Sequence, residues 1–123
     1  MSQSTTSLRG TVFRALHGCS IGSPPERSDF RNMELATAVT KDGWILGQKM
    51  LTLHDAGAYG RFSPYGLTKH SFHHTGAYSI PNLHFDGYVV FTNRTPTTAM
   101  RGFGVTSVSF AVETHMPVVL EMG

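Results

Sequence analysis

Between Phe30 and Val39 apolar and polar positions alternate. Met33, Leu35, Thr37 and Val39 fall on one side, and Asn32, Glu34, Ala36 and Ala38 on the other. Successive side chains of a strand point to opposite faces, so this run predicts a strand with one apolar face. Lys41-Asp42-Gly43 follows. Asp-Gly between two strand-like runs marks a hairpin, because glycine accepts positive φ without steric cost. The return run from Trp44 to Leu53 carries Trp44, Ile45, Leu46, Met50, Leu51 and Leu53. It is apolar on both sides, the pattern of a strand covered on both faces. His54 to Gly60 then breaks the regularity with two glycines.

Ser63-Pro64 reads as a helix start, with Ser as N-cap and Pro at the first helical position, where its missing N–H matters least. Tyr65, Lys69, Phe72 and Gly76 follow at helical spacing, and Gly76 suits a left-handed cap. Ile80 to Thr92 reads as another extended run, bent at Gly87, and Asn93 to Gly104 as a loop. Val105, Val108, Val112 and Met116 then recur at spacings of three and four, and Pro117 stops this second helix. Hairpin, helix, strand, loop, helix is an α+β arrangement. Residues 1–29 differ: a Ser/Thr/Gln tract, one short apolar patch (Val12, Phe13, Ala15, Leu16) and a Gly/Ser/Pro stretch predict weak order. The organisation expected is thus a weakly ordered segment 1–29, a domain 30–116 and a tail 117–123.

Composition sharpens this picture in three ways. At 123 residues the chain makes one domain, yet only 15% of its residues are charged and 40% are apolar. About 25% charged is usual, so part of the surface is expected to be covered by something else. Net charge is +2 and no basic run exceeds single residues, so a nucleic-acid footprint is not indicated. Cys19 is the single cysteine, so an internal disulfide, a cysteine-based zinc site and an iron–sulfur cluster carried by this chain alone are all excluded. No stretch approaches 18 apolar residues and no basic-then-apolar leader pattern is visible, so no membrane span and a cytoplasmic location are expected.

Three constellations could carry chemistry. Ala99-Met100-Arg101-Gly102-Phe103-Gly104 stands directly before a helix. Its glycines allow positive φ and close approach, its amides can form a nest for an anion or oxo group, and Arg101 adds fixed charge. The same glycines also suit a tight loop that merely lets the helix pack. His70, His73 and His74 form the second group; His70 and His74 share a helix face and can grip a metal with His54 or His84, or all can be ordinary histidines. The third is Lys69, either on a solvated face or turned to neutralise an anionic substrate. Cys19 has no histidine partner fixed beside it, which argues against a nucleophilic role.

The ordered series Lys41-Asp42-Gly43-Trp44-Ile45, Asp55-Ala56-Gly57-Ala58-Tyr59, Tyr78-Ser79-Ile80-Pro81-Asn82, Asp86 to Asn93, Thr95-Pro96 and Ala99 to Gly104 resembles the molybdenum-binding subunit of the xanthine dehydrogenase and aldehyde oxidase family. The resemblance covers residues 30–116 and implies a partial piece of a molybdopterin-binding domain. It implies hydroxylation of an aromatic heterocycle or an aldehyde carbon at a molybdenum centre. It further places Met100, Arg101, Gly102, Phe103 and Gly104 beside the molybdenum–molybdopterin cofactor, with Arg101 a molybdenum-site residue. Phe103 is implied as an aromatic wall for a flat substrate. Lys69, nine residues before Tyr78, stands where substrate-contacting Arg is found in xanthine-oxidising members, and lysine lacks that planar fork.

The resemblance also marks what is missing. No Gly-Gly-Phe-Gly-Gly segment precedes Phe30, the family's general-base glutamate comes from well beyond Met116, and neither Asp86 nor Glu113 has family support for that role. The chain is therefore expected to form one wall of a molybdenum and substrate site and to be inactive alone. The remaining molybdopterin-binding polypeptide, and iron–sulfur and possibly flavin (FAD) subunits, are expected as partners. The rival readings are a non-catalytic remnant or assembly subunit of such a complex, and a small histidine-based metal-binding module.

Overall fold

The alternating run around Leu35 becomes the second strand of a four-stranded sheet. A computed structural model describes residues 11–21, 29–99 and 101–122. The elements are β1 (Thr11–Ile21), β2 (Asp29–Val39), β3 (Ile45–Gly57), α1 (Ser63–Phe72), β4 (Leu83–Phe91) and α2 (Val105–Met122). Strand order is β1-β2-β3-β4, antiparallel except for the parallel pair β3–β4. Parallel neighbours need a crossover, and α1 supplies it. The α+β class and the expected hairpin, further strand and two helices are all present, with β1 added to them.

β2 behaves as its pattern requires: Met33, Leu35, Thr37 and Val39 are buried. The Asp-Gly turn closes with Gly43 at φ +82°, the Thr40 amide donating to the Trp44 carbonyl over 2.8 Å. β3 alternates strictly instead of being covered on both faces. Gln48, Met50, Thr52, His54 and Ala56 point inward and are buried, whereas Lys49 and Leu53 are exposed and Trp44 is 74% exposed. Its outward apolar residues have no cover among the described residues.

Both helices lie on the inner face, α2 over β1 and β2, α1 over β3 and β4. Val108, Ala111, Val112 and Met116 of α2 close on Met33, Leu35 and Met50 to form the core. Polar pairs run through the same layer. Thr37 is hydrogen-bonded to His115 at 3.0 Å and Thr52 to His70 at 3.2 Å.

Three further expectations are corrected. Thr11–Ile21, read as weakly ordered, pairs along its full length with β2, from Thr11 opposite Val39 to Ile21 opposite Asp29. Its order comes from a partner strand held by the core, which a local pattern does not display. The rest of that segment, residues 1–10 and 22–28, lies outside the described residues. Pro117 does not end α2, which runs to Met122. Proline removes only the bond to the carbonyl four residues back, here on exposed Glu113, while buried Val119 continues the packed face. Ser63 is not the N-cap of α1. Phe62 holds that position without a side-chain bond, and the Ser63 hydroxyl turns to Thr97.

Candidate functional site

The glycine-rich turn before α2 is held in place by the motifs that precede it. Asp55, at the end of β3, accepts from the Gly57 amide over 2.9 Å and from the Thr92 hydroxyl over 2.7 Å. The Thr97 amide donates to the Ala56 carbonyl (3.1 Å), and its hydroxyl donates to the Asp55 carbonyl (3.1 Å). Ser63 at the start of α1 bonds the Thr97 hydroxyl at 2.7 Å and donates to the Thr97 carbonyl at 3.1 Å. A β-carbon on Gly57 would lie 2.5 Å from the Thr95 carbonyl oxygen, so the loop passes directly over that glycine. The Asp55–Tyr59 and Thr92–Pro96 motifs are thus two halves of one clasp. It delivers the chain to residue 99 at a fixed point above α1.

The turn itself then seats against α1. Gly104 is buried with φ +81°, and a β-carbon there would overlap the Gly66 carbonyl oxygen and fall 3.1 Å from the Lys69 β-carbon. Gly104 is therefore glycine because the helix backbone passes against it. Gly102 also has positive φ (+75°), and its carbonyl accepts the Val105 and Thr106 amides and the Thr106 hydroxyl. Arg101 and Gly102 are exposed and Phe103 half-buried, so the turn presents one open side. Met100 lies outside the described residues.

Lys69 is brought to this turn. It is half-buried, its stem beside Gly104 and its ammonium 5.3 Å from the centre of the Tyr65 ring. The Tyr65 and Phe103 rings stand 6.4 Å apart, tilted by 36°. Phe103 packs edge-on over Gly66, where a β-carbon would meet it at 2.8 Å. Sequence reasoning did not bring Tyr65 to this corner; its i, i+4 relation to Lys69 was the available signal.

The histidines do not gather. His70 is buried under α1 against Thr52 and Phe85, His73 donates from Nδ1 to the Lys69 carbonyl, and His74 donates to the Ser71 carbonyl. His84 belongs to the opposite face of the sheet with Asp86, at 3.0 Å. Among the described residues no group of three His, Cys, Asp or Glu is placed to hold a metal. Cys19 sits within β1 opposite Arg31. Neither Asp86 nor Glu113 stands at the turn. Glu113 accepts from the Tyr78 hydroxyl at 3.1 Å, and Asp86 pairs with Lys49 at 3.4 Å. Partial desolvation draws the Asp86 pKa upward, but hydrogen bonds and charge from His84 and Lys49 outweigh it and hold the carboxyl below its ordinary 3.8. Burial, then the hydrogen bond and charge of Glu113, push the Tyr78 phenol above 10.0.

The family model for the molybdopterin cofactor-binding domain matches residues 22–121. The chain belongs to that family. The match begins before residue 30 and runs past Pro117 into the last turns of α2. The nicotinate dehydrogenase large molybdopterin subunit of Eubacterium barkeri is 36% identical over 84 residues, 68% of this chain and 20% of that protein. The aldehyde oxidoreductase of Megalodesulfovibrio gigas is 36% identical over 90 residues, 72% of this chain and 10% of that one. An aldehyde oxidoreductase structure from Desulfovibrio gigas superposes with a TM-score of 0.72 at 28% identity, over 79% of this chain and 11% of that chain. This molybdopterin-binding piece therefore spans a fifth or less of the relatives named. Among its described residues, no helix is long and apolar enough to cross a membrane.

The turn fits one side of such a cofactor. Its exposed part offers a cation, Arg101, beside a glycine backbone, the donor chemistry that an anionic phosphate or an oxo group requires. Gly104, being filled by α1, serves that surface by anchoring it.

Proposed function

We propose that this chain forms one wall of the molybdenum and substrate site of a molybdenum-cofactor-dependent hydroxylase, acting on an aromatic heterocycle or an aldehyde. The observation that carries this reading is the convergence of the clasp, α1 and the Arg101–Gly104 turn at one corner, with the Lys69 stem against Gly104 and the Phe103 ring over Gly66. When bound, the cofactor supplies the oxidising centre. Arg101 and the Gly102 backbone would hold its anionic and oxo groups, with Met100, next before them in the sequence, completing the segment, while Gly104 pins the turn to α1. Phe103 offers a flat apolar face that orients a ring and excludes water. Lys69 places positive charge where substrate polarity is read.

The same geometry supports dependence on partners. Asp86 faces the other side of the sheet and Glu113 is engaged by Tyr78, so a general base must come from another segment. The remaining molybdopterin-binding polypeptide supplies that base and the rest of the cradle, and iron–sulfur and flavin groups reside on partner chains or domains, in a cytoplasmic assembly.

The test is expression in a molybdopterin-producing host, alone and together with the polypeptides encoded beside it, followed by metal and pterin analysis. Molybdenum is expected in the assembly only, and Arg101→Ala is expected to lower its occupancy. Stoichiometric molybdenum and turnover in the isolated chain would overturn the dependence on partners. The engagement of Asp86 and Glu113 away from the turn favours one second reading, a non-catalytic remnant; a metal-loaded assembly without turnover would establish it.

A further inference from the structure

Strand pairing sets the residues of the sheet's outer face, the one away from the helices, in rows. Glu34, Leu51 and Asp86 stand abreast on β2, β3 and β4, and Ala36, Lys49 and His84 form the next row. The first row carries two carboxylates, the second an ammonium and an imidazole. Beyond the acidic row Leu53 and Tyr88 rise side by side, both exposed. Beyond the basic row the surface falls away. Ala38 pairs with Gly47, and a hollow of about 330 Å³ opens there, lined by Ala36, Ala38, Gly47, Lys49, Leu83 and His84. Along the strands the order is therefore bump, acidic row, basic row, hollow.

That order is its own complement. A two-fold axis running between the two charged rows, and parallel to them, turns bump onto hollow and acid onto base, and makes each contact twice. Each strand then lies over the same strand of the other copy in the opposite sense. Asp86 meets His84 of the second copy, and Lys49 comes down between its Glu34 and Asp86. Aligned sheets pack about 10 Å apart with their strands within about 30° of each other, which this arrangement allows. Four strands of about ten residues offer about 600 Å² a side, or about 1,200 Å² in all, above the roughly 1,000 Å² of a specific interface.

We infer that the outer face is an isologous dimer surface whose occupant is a second copy of this chain. Apolar burial of Leu53 and Tyr88 in the hollow supplies the attraction, and the charged rows fix the register. The contact closes at two, because the same patch is used by both copies. The inference is independent of the cofactor reading, since the Arg101–Gly104 turn is seated on α1, on the helix side of the sheet.

Sedimentation equilibrium on the purified full chain tests it. A mass of two chains and nothing larger is expected at about 0.1 mM. Asp86→Lys sets a lysine against His84 of the second copy, and His84→Glu sets a glutamate against its Asp86. Each should weaken pairing about ten-fold, because two attractive contacts become two repulsive ones. Mixing the two variants puts lysine over glutamate and His84 over Asp86, so the mixed pair should regain the parent's affinity. This recovery between chains separates the interface contact from the His84–Asp86 contact within one chain, which neither variant retains. Ala38→Leu, which fills the hollow, should also weaken pairing about ten-fold, with thermal melts confirming the fold of each variant. A monomer at that concentration, open-ended association, or a mixed pair no stronger than either variant alone would each overturn the inference. A chain that stays monomeric and binds only the remaining molybdopterin-binding polypeptide would overturn it too, and give the face to that partner.

Discussion

Gly104 and Gly102 share a positive φ, but their surroundings differ in what can yield. A β-carbon at 104 meets the backbone carbonyl of Gly66, which is fixed within α1; at 102 it meets the Thr106 hydroxyl, which can rotate away. Each replacement carries the conformational cost of left-handed backbone, about 1–2 kcal/mol. Gly104→Ala must in addition lift the turn off the helix. Urea unfolding should therefore show Gly104→Ala losing at least about 1 kcal/mol more than Gly102→Ala, and the Phe103 ring should leave its contact with Gly66. Asp86 offers a test of opposite kind. Its carboxyl titrates below 3.8 in the folded chain, so the folded state favours the carboxylate. The stabilisation is present above the unfolded value and disappears as pH falls through the lowered folded one. Because the site is exposed the effect is small. Asp86→Asn should shift the melting midpoint slightly at neutral pH, and the difference from wild type should vanish in strong acid. A difference that grows on acidification would contradict the assigned direction.

At the level of elements, α2 carries an internal strain that its sequence announced and its packing overrides. Pro117 deprives the Glu113 carbonyl of its intrahelical donor, yet Met116 and Val119 on either side are buried. Replacing it with alanine returns the bond and a better helix former, so Pro117→Ala should raise stability by about 1–3 kcal/mol in urea unfolding. No gain, or a loss, would mean the proline ring itself packs against a neighbour. The same helix shows what was legible beforehand. Val108, Val112 and Met116 declared their buried face through spacing, and Met33, Leu35, Thr37 and Val39 did so by alternation, because both signals are local. The order of β1 and the partner of Ser63 were not legible, since they depend on pairing with Met33-bearing β2 and on a loop 34 residues away. At the candidate site, an ordered series of motifs singled out the turn and Lys69, and the fold sets Lys69 against Gly104. Tyr65 escaped because one aromatic residue on a helix reads as packing until its neighbour's charge is seen above it.

At the scale of the whole molecule, the described residues cover one face of the sheet and leave the other bare. Leu53 and Tyr88 stand opposite each other on that outer face, 39% and 56% exposed, with Leu51 and Val90 next along their strands and Ala36 and Ala38 further along β2. Glu34, Lys49, His84 and Asp86 share this face, so charge borders an apolar strip that nothing in the chain's described part covers. An isolated domain gains nothing by exposing such a strip, whereas a piece of a larger protein needs it for docking. The low charge content of the sequence is the same fact seen in composition. If this face docks on the remaining molybdopterin-binding polypeptide, Leu53→Lys together with Tyr88→Lys should leave the inner core untouched, each changing stability by no more than about 0.5 kcal/mol. The doubly substituted chain should self-associate less than the parent by light scattering, and should fail to co-purify with its partner. Retained co-purification, with the outer face carrying two new charges, would place the docking surface elsewhere, on the exposed flanks of α1 and α2 that bear Phe72 and Phe110.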